Sequence, residues 1–287
     1  MALIQSTKDK HFLTFDDIKH SYTLDGRHVP GVTTAMKGGY PQSMQLTSWM
    51  IGQGAEYTYE RLIEESTHEG NFVEWPSEAT KKEIIKGART ASKKVAEEAA
   101  GIGTIVHDYA YLTELGKIED ATKLVADNVD SPNWESINNG IKKFTGWKEE
   151  NKDEIVSSEA IVAHVCPMHE GKEDDTALCS CYGGKFDRLA KRGDLLVLSD
   201  FKTSSGIYVD MFIQLAAYTI AIDQWLGLKV DAVEILRFGK EDGELQTLMM
   251  KGQDIEKFKQ QAIRCRETYE FRKMESDKRF KFGGKRD

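Results

Sequence analysis

The stretch from Tyr182 to Tyr218, YGGKFDRLAKRGDLLVLSDFKTSSGIYVDMFIQLAAY, decides how this chain reads. Its first half holds two runs of β-prone residues joined at Lys191-Arg192-Gly193-Asp194, a polar turn with a glycine, so it reads as an antiparallel hairpin. Asp187 falls near the middle of the first strand, and Asp200 and Lys202 end the second. Side chains alternate along a strand, so Asp200 and Lys202 share a face and the hairpin can bring Asp187 onto it. Two carboxylates and an ammonium set among LLVLSDF are costly to bury without a purpose. Hard oxygen ligands of this kind hold Mg2+ or Mn2+. A lysine beside them can orient a water or offset charge on a phosphate. A D-x-K tripeptide alone is common, so the weight rests on its neighbours.

Outward from this stretch the period of the apolar residues changes. Upstream, EIVSSEAIVAHV (154–165) reads as a further strand, and about 133–151 as a helix. From about Ser43 to Leu115 the pattern becomes helical, with stretches whose apolar residues recur at three- and four-residue spacing. Residues 11–35 read as short strands around an Asp25-Gly26 turn. Downstream come a helix over VDMFIQLAAYTIAIDQWLG (209–227), a hairpin turning near Asp242-Gly243, and a last helix from about Asp254 to Met274. Helices followed by strand, hairpin, helix, hairpin and helix predict an α/β (α+β) layered fold. Five prolines and no low-complexity linker leave 1–287 as a single expected domain. It would have a strand-and-helix half at 1–150 and a core at 151–287.

The 287 residues are 40% hydrophobic, enough for one sizeable core. No apolar run reaches the ~18 residues of a membrane span, and the start carries no signal-like apolar stretch. A cytoplasmic protein with no membrane partner is therefore expected. The net charge of −8 excludes a histone-like coat on nucleic acid but not an enzyme that grips phosphate in one local groove. Residues 264–287 are the clearly basic segment.

The order Asp187, then Asp200-Phe201-Lys202, then Gln214-x-x-x-Tyr218 resembles the RecB-like branch of the PD-(D/E)XK nuclease superfamily, which includes phage-type and mitochondrial-type exonucleases. The string SDFKTSSGIYVDMFIQLAAY is similar to that branch's D-x-K-T-S segment and the Q-L-x-x-Y helix after it. The resemblance implies a restriction-endonuclease-like core, a mixed sheet flanked by helices. It implies Asp187 and Asp200 as metal ligands, the Phe201 carbonyl as a further oxygen and Lys202 as the catalytic lysine. Gln214, Tyr218, Thr203 and Ser204 would lie near DNA. Without the D-x-K, Gln214 and Tyr218 would read as the polar edge of a core helix.

Two further segments fit the same branch. Gly103-Thr104-Ile105-Val106-His107 resembles its G-T-x-x-H helix, which implies His107 as a ligand. Glu159 matches the acidic residue ahead of the first aspartate, as a base or a ligand for another ion; by itself it reads equally as a solvated strand carboxylate. Val29-Pro30-Gly31-Val32-Thr33-Thr34 resembles the branch's P-S-V-T segment, with Gly31 where many members have serine, so a phosphate-binding hydroxyl falls to Thr33 or Thr34. Lys37-Gly38-Gly39-Tyr40 suits a backbone phosphate contact or a plain loop. The function implied is a Mg2+- or Mn2+-dependent DNA exonuclease, with a recombination or replication protein as a further partner. A site-selective endonuclease of the same fold and a catalytically inert DNA-binding protein remain the alternatives.

Three of the four cysteines lie close together in an insertion-like stretch at about 164–182, HVCPMHEGKEDDTALCSCY. Cys166 and His169 form C-x-x-H, and Cys179 and Cys181 form C-x-C. Two such pairs can close a tetrahedral structural Zn2+ site. Reduced thiols in a loop and other redox chemistry are the competing readings. Related nucleases with an iron–sulfur cluster carry cysteines that flank the core, an arrangement this chain does not share.

Overall fold

The computed structural model describes residues 2–5, 11–69, 72–167, 179–239 and 243–276. Its first elements are strands β1 (Ala2–Gln5), β2 (Phe12–Asp16), β3 (Ser21–Leu24) and β4 (Arg27–Val29), then helices α1 (Val32–Gly39) and α2 (Met44–Glu65). A hairpin, β5 (Thr67–Glu69) and β6 (Phe72–Glu74), precedes α3 (Glu78–Glu114), α4 (Ile118–Ala126) and α5 (Trp134–Glu150). There follow β7 (Glu154–His164), β8 (Tyr182–Arg192), β9 (Leu195–Lys202), α6 (Val209–Leu226), β10 (Ala232–Phe238), β11 (Leu245–Lys251) and α7 (Gln253–Ser276). The chain divides into two compact units, Met1–Pro41 with Ile105–Asp287, and Gln42–Thr104.

The larger unit is a mixed α/β structure around a five-stranded sheet of order β11-β10-β9-β8-β7. Strands β7, β8 and β9 form an antiparallel meander, β10 returns parallel to β9 through α6, and β11 pairs antiparallel with β10. The expected hairpin closes where expected, with Gly193 (φ +61) in the turn. Every residue of β10 is buried, as befits a strand covered on both faces. Val233 and Ile235 join one core cluster with Leu215, Ile222 and Trp225 of α6. Leu236 and Phe238 join a second with Val106 and Ala110 of α3 and Phe144 and Trp147 of α5. At the N-terminus, β1 to β4 form an antiparallel sheet. Asp25 (φ +48) and Gly26 (φ +82) make the β3–β4 turn, both in the left-handed region that a two-residue hairpin needs.

An ionic cluster is buried beside this sheet. Arg188 ion-pairs with Glu114 at 2.6 Å and with Asp153 at 3.0 Å, while Arg192 forks between Asp153 and Glu234 at 2.9–3.2 Å. Both guanidinium groups lie over the Trp147 ring. Buried charges persist only when paired in this way.

In the smaller unit, α2 approaches α3 closely. A Cβ on Gly87 would stand 2.2 Å from the Tyr57 hydroxyl, so the contact requires glycine there. Ser43 caps α2 by accepting from the Leu46 amide at 3.0 Å.

Three expectations are corrected. The reading of 11–35 as strands ends at Val29, because Val32-Thr33-Thr34 open α1, burying Val32 and Ala35 one helical turn apart. Lys37-Gly38-Gly39 close that helix and are not a loop. A Cβ on Gly38 or Gly39 would meet the Tyr269 ring at 2.4 Å or the Cys265 carbonyl oxygen at 1.8 Å, so these glycines admit α7. The helical pattern expected over about 43–115 is interrupted by the β5–β6 pair, where β-prone Phe72 and Val73 depart from it. Asp242, of the expected Asp242-Gly243 turn, and His169 lie outside the described residues. Among the described residues no helix is long and apolar enough to cross a membrane.

Candidate metal centre

The meander sets the first two site residues side by side. Arg188 pairs with Ser199 in the β8–β9 register, so Asp187 and Asp200 face each other across the next rung. Asp187 Oδ2 accepts a 2.7 Å hydrogen bond from the Phe201 amide, which fixes that carboxylate against β9. On the other side of β8, Ser158 pairs with Arg188 and Ala160 with Phe186, which leaves Glu159 opposite Asp187. Glu159 has φ +52, the left-handed region that a residue with a Cβ rarely adopts, in the middle of a strand. Such strain, about 1–3 kcal/mol, is kept where the neighbouring structure over-determines it and is concentrated at functional sites.

His107 completes the group from α3. Its Nδ1 lies 3.5 Å from Asp187 Oδ2, and its ring meets the Phe201 ring edge-on at 5.8 Å. One ligand atom each from His107, Glu159 and Asp187 lies within 4.8 Å of the others, close enough for a single ion. Asp200 is not in this trio. It is 3% exposed and its Oδ2 forms an ion pair with Lys202 Nζ while accepting no hydrogen bond from the described residues.

Burial governs the electrostatics. It pushes the Asp187 carboxyl up to about 7, with the Asp200 charge adding in the same direction. Burial, then the charge of Asp187, also raises Glu159. His107 is lowered by burial and by Lys202, so its imidazole stays neutral and keeps a lone pair. Burial opposes the charge on Lys202, yet the Asp200 and Asp187 carboxylates outweigh it and hold the ammonium above its usual range. Two acids raised chiefly by burial stand beside an ammonium that is retained, the pattern of a candidate functional site.

The remaining site residues are placed less directly. Gln214 Nε2 donates to Thr33 Oγ1 at 2.8 Å, joining α6 to the start of α1; the structure gives Thr34 no comparable contact among the described residues. Tyr218 is 5% exposed and its hydroxyl donates to the Lys185 carbonyl at 2.8 Å, so it holds β8 in place from the core. Thr203 and Ser204 follow β9 in the turn toward α6, where Ser204 Oγ donates to the Gly206 carbonyl at 2.8 Å and the Ser204 carbonyl accepts from Arg237 at 2.6 Å. One participant was missed from sequence: Lys185, whose ammonium forms an ion pair with Glu159. Its signal was its position two residues before Asp187, on the same strand face.

The three cysteines also converge, with the Cys166, Cys179 and Cys181 sulfurs all within 4.8 Å of one another. Trp147 is buried in the core, whereas Trp49 is exposed on α2.

No family model matches the chain, and no curated protein matches it. Among solved structures, the crystal structure of a protein designated SSO0001 aligns with 56% of this chain and 73% of its own, at a TM-score of 0.28 and 12% identity. That likeness is too slight to bear on fold or function.

Proposed function

We propose that this protein is a divalent-metal-dependent deoxyribonuclease that hydrolyses phosphodiester bonds, acting on linear DNA as an exonuclease. The observation that carries the reading is the convergence of His107, Glu159 and Asp187 within 4.8 Å, with Asp200 and its ion pair to Lys202 directly across the β8–β9 ladder. The donor set fits the metal: two carboxylate oxygens and a neutral imidazole suit Mg2+ or Mn2+. Burial raises both Asp187 and Glu159, so a divalent ion placed between them would favour their charged forms. Bound there, such an ion would polarise a phosphate oxygen and acidify a water.

The chain's own groups supply the rest. Asp187, fixed by the Phe201 amide, and His107, fixed against the Phe201 ring, would hold the ion without rearrangement. Glu159, tied to Lys185, would take a third position or accept a proton from the attacking water. Lys202 would place its positive charge where a phosphate gains negative charge in the transition state. Gln214 and Thr33, already bonded to each other, would present their remaining donors to the DNA strand.

The test is cleavage of end-labelled linear single-stranded, linear duplex and circular DNA with Mg2+, Mn2+ or EDTA, comparing wild type with Lys202→Ala. Metal-dependent loss of linear DNA, reduced at least about 10²-fold in the variant, supports the exonuclease. Cutting of circles would replace it with an endonuclease. Absence of cleavage under every condition would leave a DNA-binding role.

A further inference from the structure

We infer that Cys166, Cys179 and Cys181 form a second metal site, a thiolate site for one Zn2+ that closes the open end of the β7–β8 hairpin. Cys166 follows the end of β7 and Cys181 directly precedes β8, where His164 pairs with Tyr182 and Ala163 with Gly183. Cys166 Sγ lies 3.4 Å from Cys181 Sγ and 3.8 Å from Cys179 Sγ. A tetrahedron of about 2.3 Å Zn–S bonds has sulfur–sulfur edges of about 3.8 Å, whereas a disulfide needs about 2.05 Å. The sulfurs are therefore spaced for an ion between them and not for a bond, and none of the four cysteines is in a disulfide.

The backbone around the sulfurs is held from two sides. The Cys166 amide donates to Cys181 Sγ at 3.1 Å, the backbone N–H···S contact that stabilises a sulfur carrying charge. Arg266 of α7, itself buried, donates to the Cys181 carbonyl at 3.0 Å and the Cys179 carbonyl at 2.7 Å. This locks the C-x-C backbone and brings a cation alongside. Three soft sulfur donors select Zn2+ over the hard ions suited to His107, Glu159 and Asp187. Cys181 directly precedes β8 and Asp187 lies within it, six residues on and roughly 20 Å away along the extended chain, so the two centres share no ligand. Three sulfurs would fill three corners of the tetrahedron, and a water or a further side chain would take the fourth. Such an ion would close the twelve-residue excursion between Cys166 and Cys179 and so hold in register the two strands that carry Glu159, Lys185 and Asp187.

The experiment reads metal content, not cleavage, so it stands or falls independently of the nuclease reading. The full chain is purified without chelators, its metals are measured by mass spectrometry, and Co2+ is titrated into zinc-stripped protein. About one zinc per chain is expected, with the d–d bands of tetrahedral Co2+ and thiolate-to-cobalt charge transfer. Cys179→Ser and Cys181→Ser should lose the ion, and Cys265→Ser should keep it. Should the serine variants fail to fold, the Co2+ spectrum of the wild type decides the matter. The proposal is overturned by a wild type with neither zinc nor a tetrahedral Co2+ spectrum. Iron with acid-labile sulfide in place of zinc, a Cys166–Cys181 disulfide in the purified protein, or full zinc content in folded Cys179→Ser would overturn it equally.

Discussion

Asp187 Oδ2 accepts a 2.7 Å hydrogen bond from the Phe201 amide while standing 3.5 Å from His107 Nδ1. A single oxygen thus serves the sheet and the candidate centre at once, and the two roles separate by mutation. Asp187→Asn retains an acceptor for the amide and removes the charge. Asp187→Ala leaves that N–H unpaired, which costs about 1–3 kcal/mol. Both variants should lose Mn2+ binding by calorimetry, but in metal-free buffer the alanine variant alone should melt below wild type. Equal melting of the two would show that the Phe201 bond contributes nothing to stability.

Metal binding should depend on pH with a defined sign. Asp187 is raised to about 7 in the folded protein from 3.8, so its contribution to stability is fully present below 3.8 and lost as pH rises through about 7. His107 is lowered, by burial first and then by the Lys202 charge, which favours its neutral form. An ion must displace the Asp187 proton below pH 7 but not above it. The rise in melting temperature caused by Mn2+ should therefore be larger at pH 8 than at pH 6, as thermal melts in matched buffers would record. An equal rise at both would contradict the assignment of Asp187 as a ligand.

The backbone of Glu159 offers a test of strain. In a strand interior glycine is ordinarily about 0.5–1 kcal/mol worse than alanine. At φ +52 the order should reverse, because the left-handed region costs a residue with a Cβ roughly 1–2 kcal/mol. Denaturant melts should find Glu159→Gly more stable than Glu159→Ala, although both lose the carboxylate and its ion pair with Lys185.

Two glycines in helices should respond in opposite directions. A Cβ at Gly39 would stand 1.8 Å from the Cys265 carbonyl oxygen, so Gly39→Ala must push α1 from α7 and should cost about 1–3 kcal/mol or more. A Cβ at Gly52 meets nothing within 4 Å, so Gly52→Ala should stabilise its helix by up to about 1 kcal/mol. Thermal denaturation of the two variants separates these effects.

Much of the larger unit could be read directly. The β8–β9 hairpin, helix α6 with its Gly227 cap and strand β7 all lie where periodicity and turn residues put them. These are local consequences of alternation, of a glycine free to adopt positive φ, and of an apolar helix. The misread places were those where a local pattern had two outcomes. Val32-Thr33-Thr34 suits a strand by composition, yet becomes helix because Val32 and Ala35 must bury one helical turn apart. Gly38-Gly39 looks like a loop until α7 is seen lying against it.

The sequence by itself determined the class of fold and the shared face of Asp187, Asp200 and Lys202, because strand alternation and a short turn leave little choice. The resemblance pointed to His107 and Glu159, but tertiary structure decided that they meet Asp187 within 4.8 Å while Asp200 turns to Lys202. It alone gave Glu159 its left-handed backbone, buried Tyr218 under β8, and set Arg266 against the backbone of the cysteine cluster. The physical reason is range. Alternation and turn chemistry act over a few residues, whereas these contacts come from packing and charge pairing between elements that no local pattern connects.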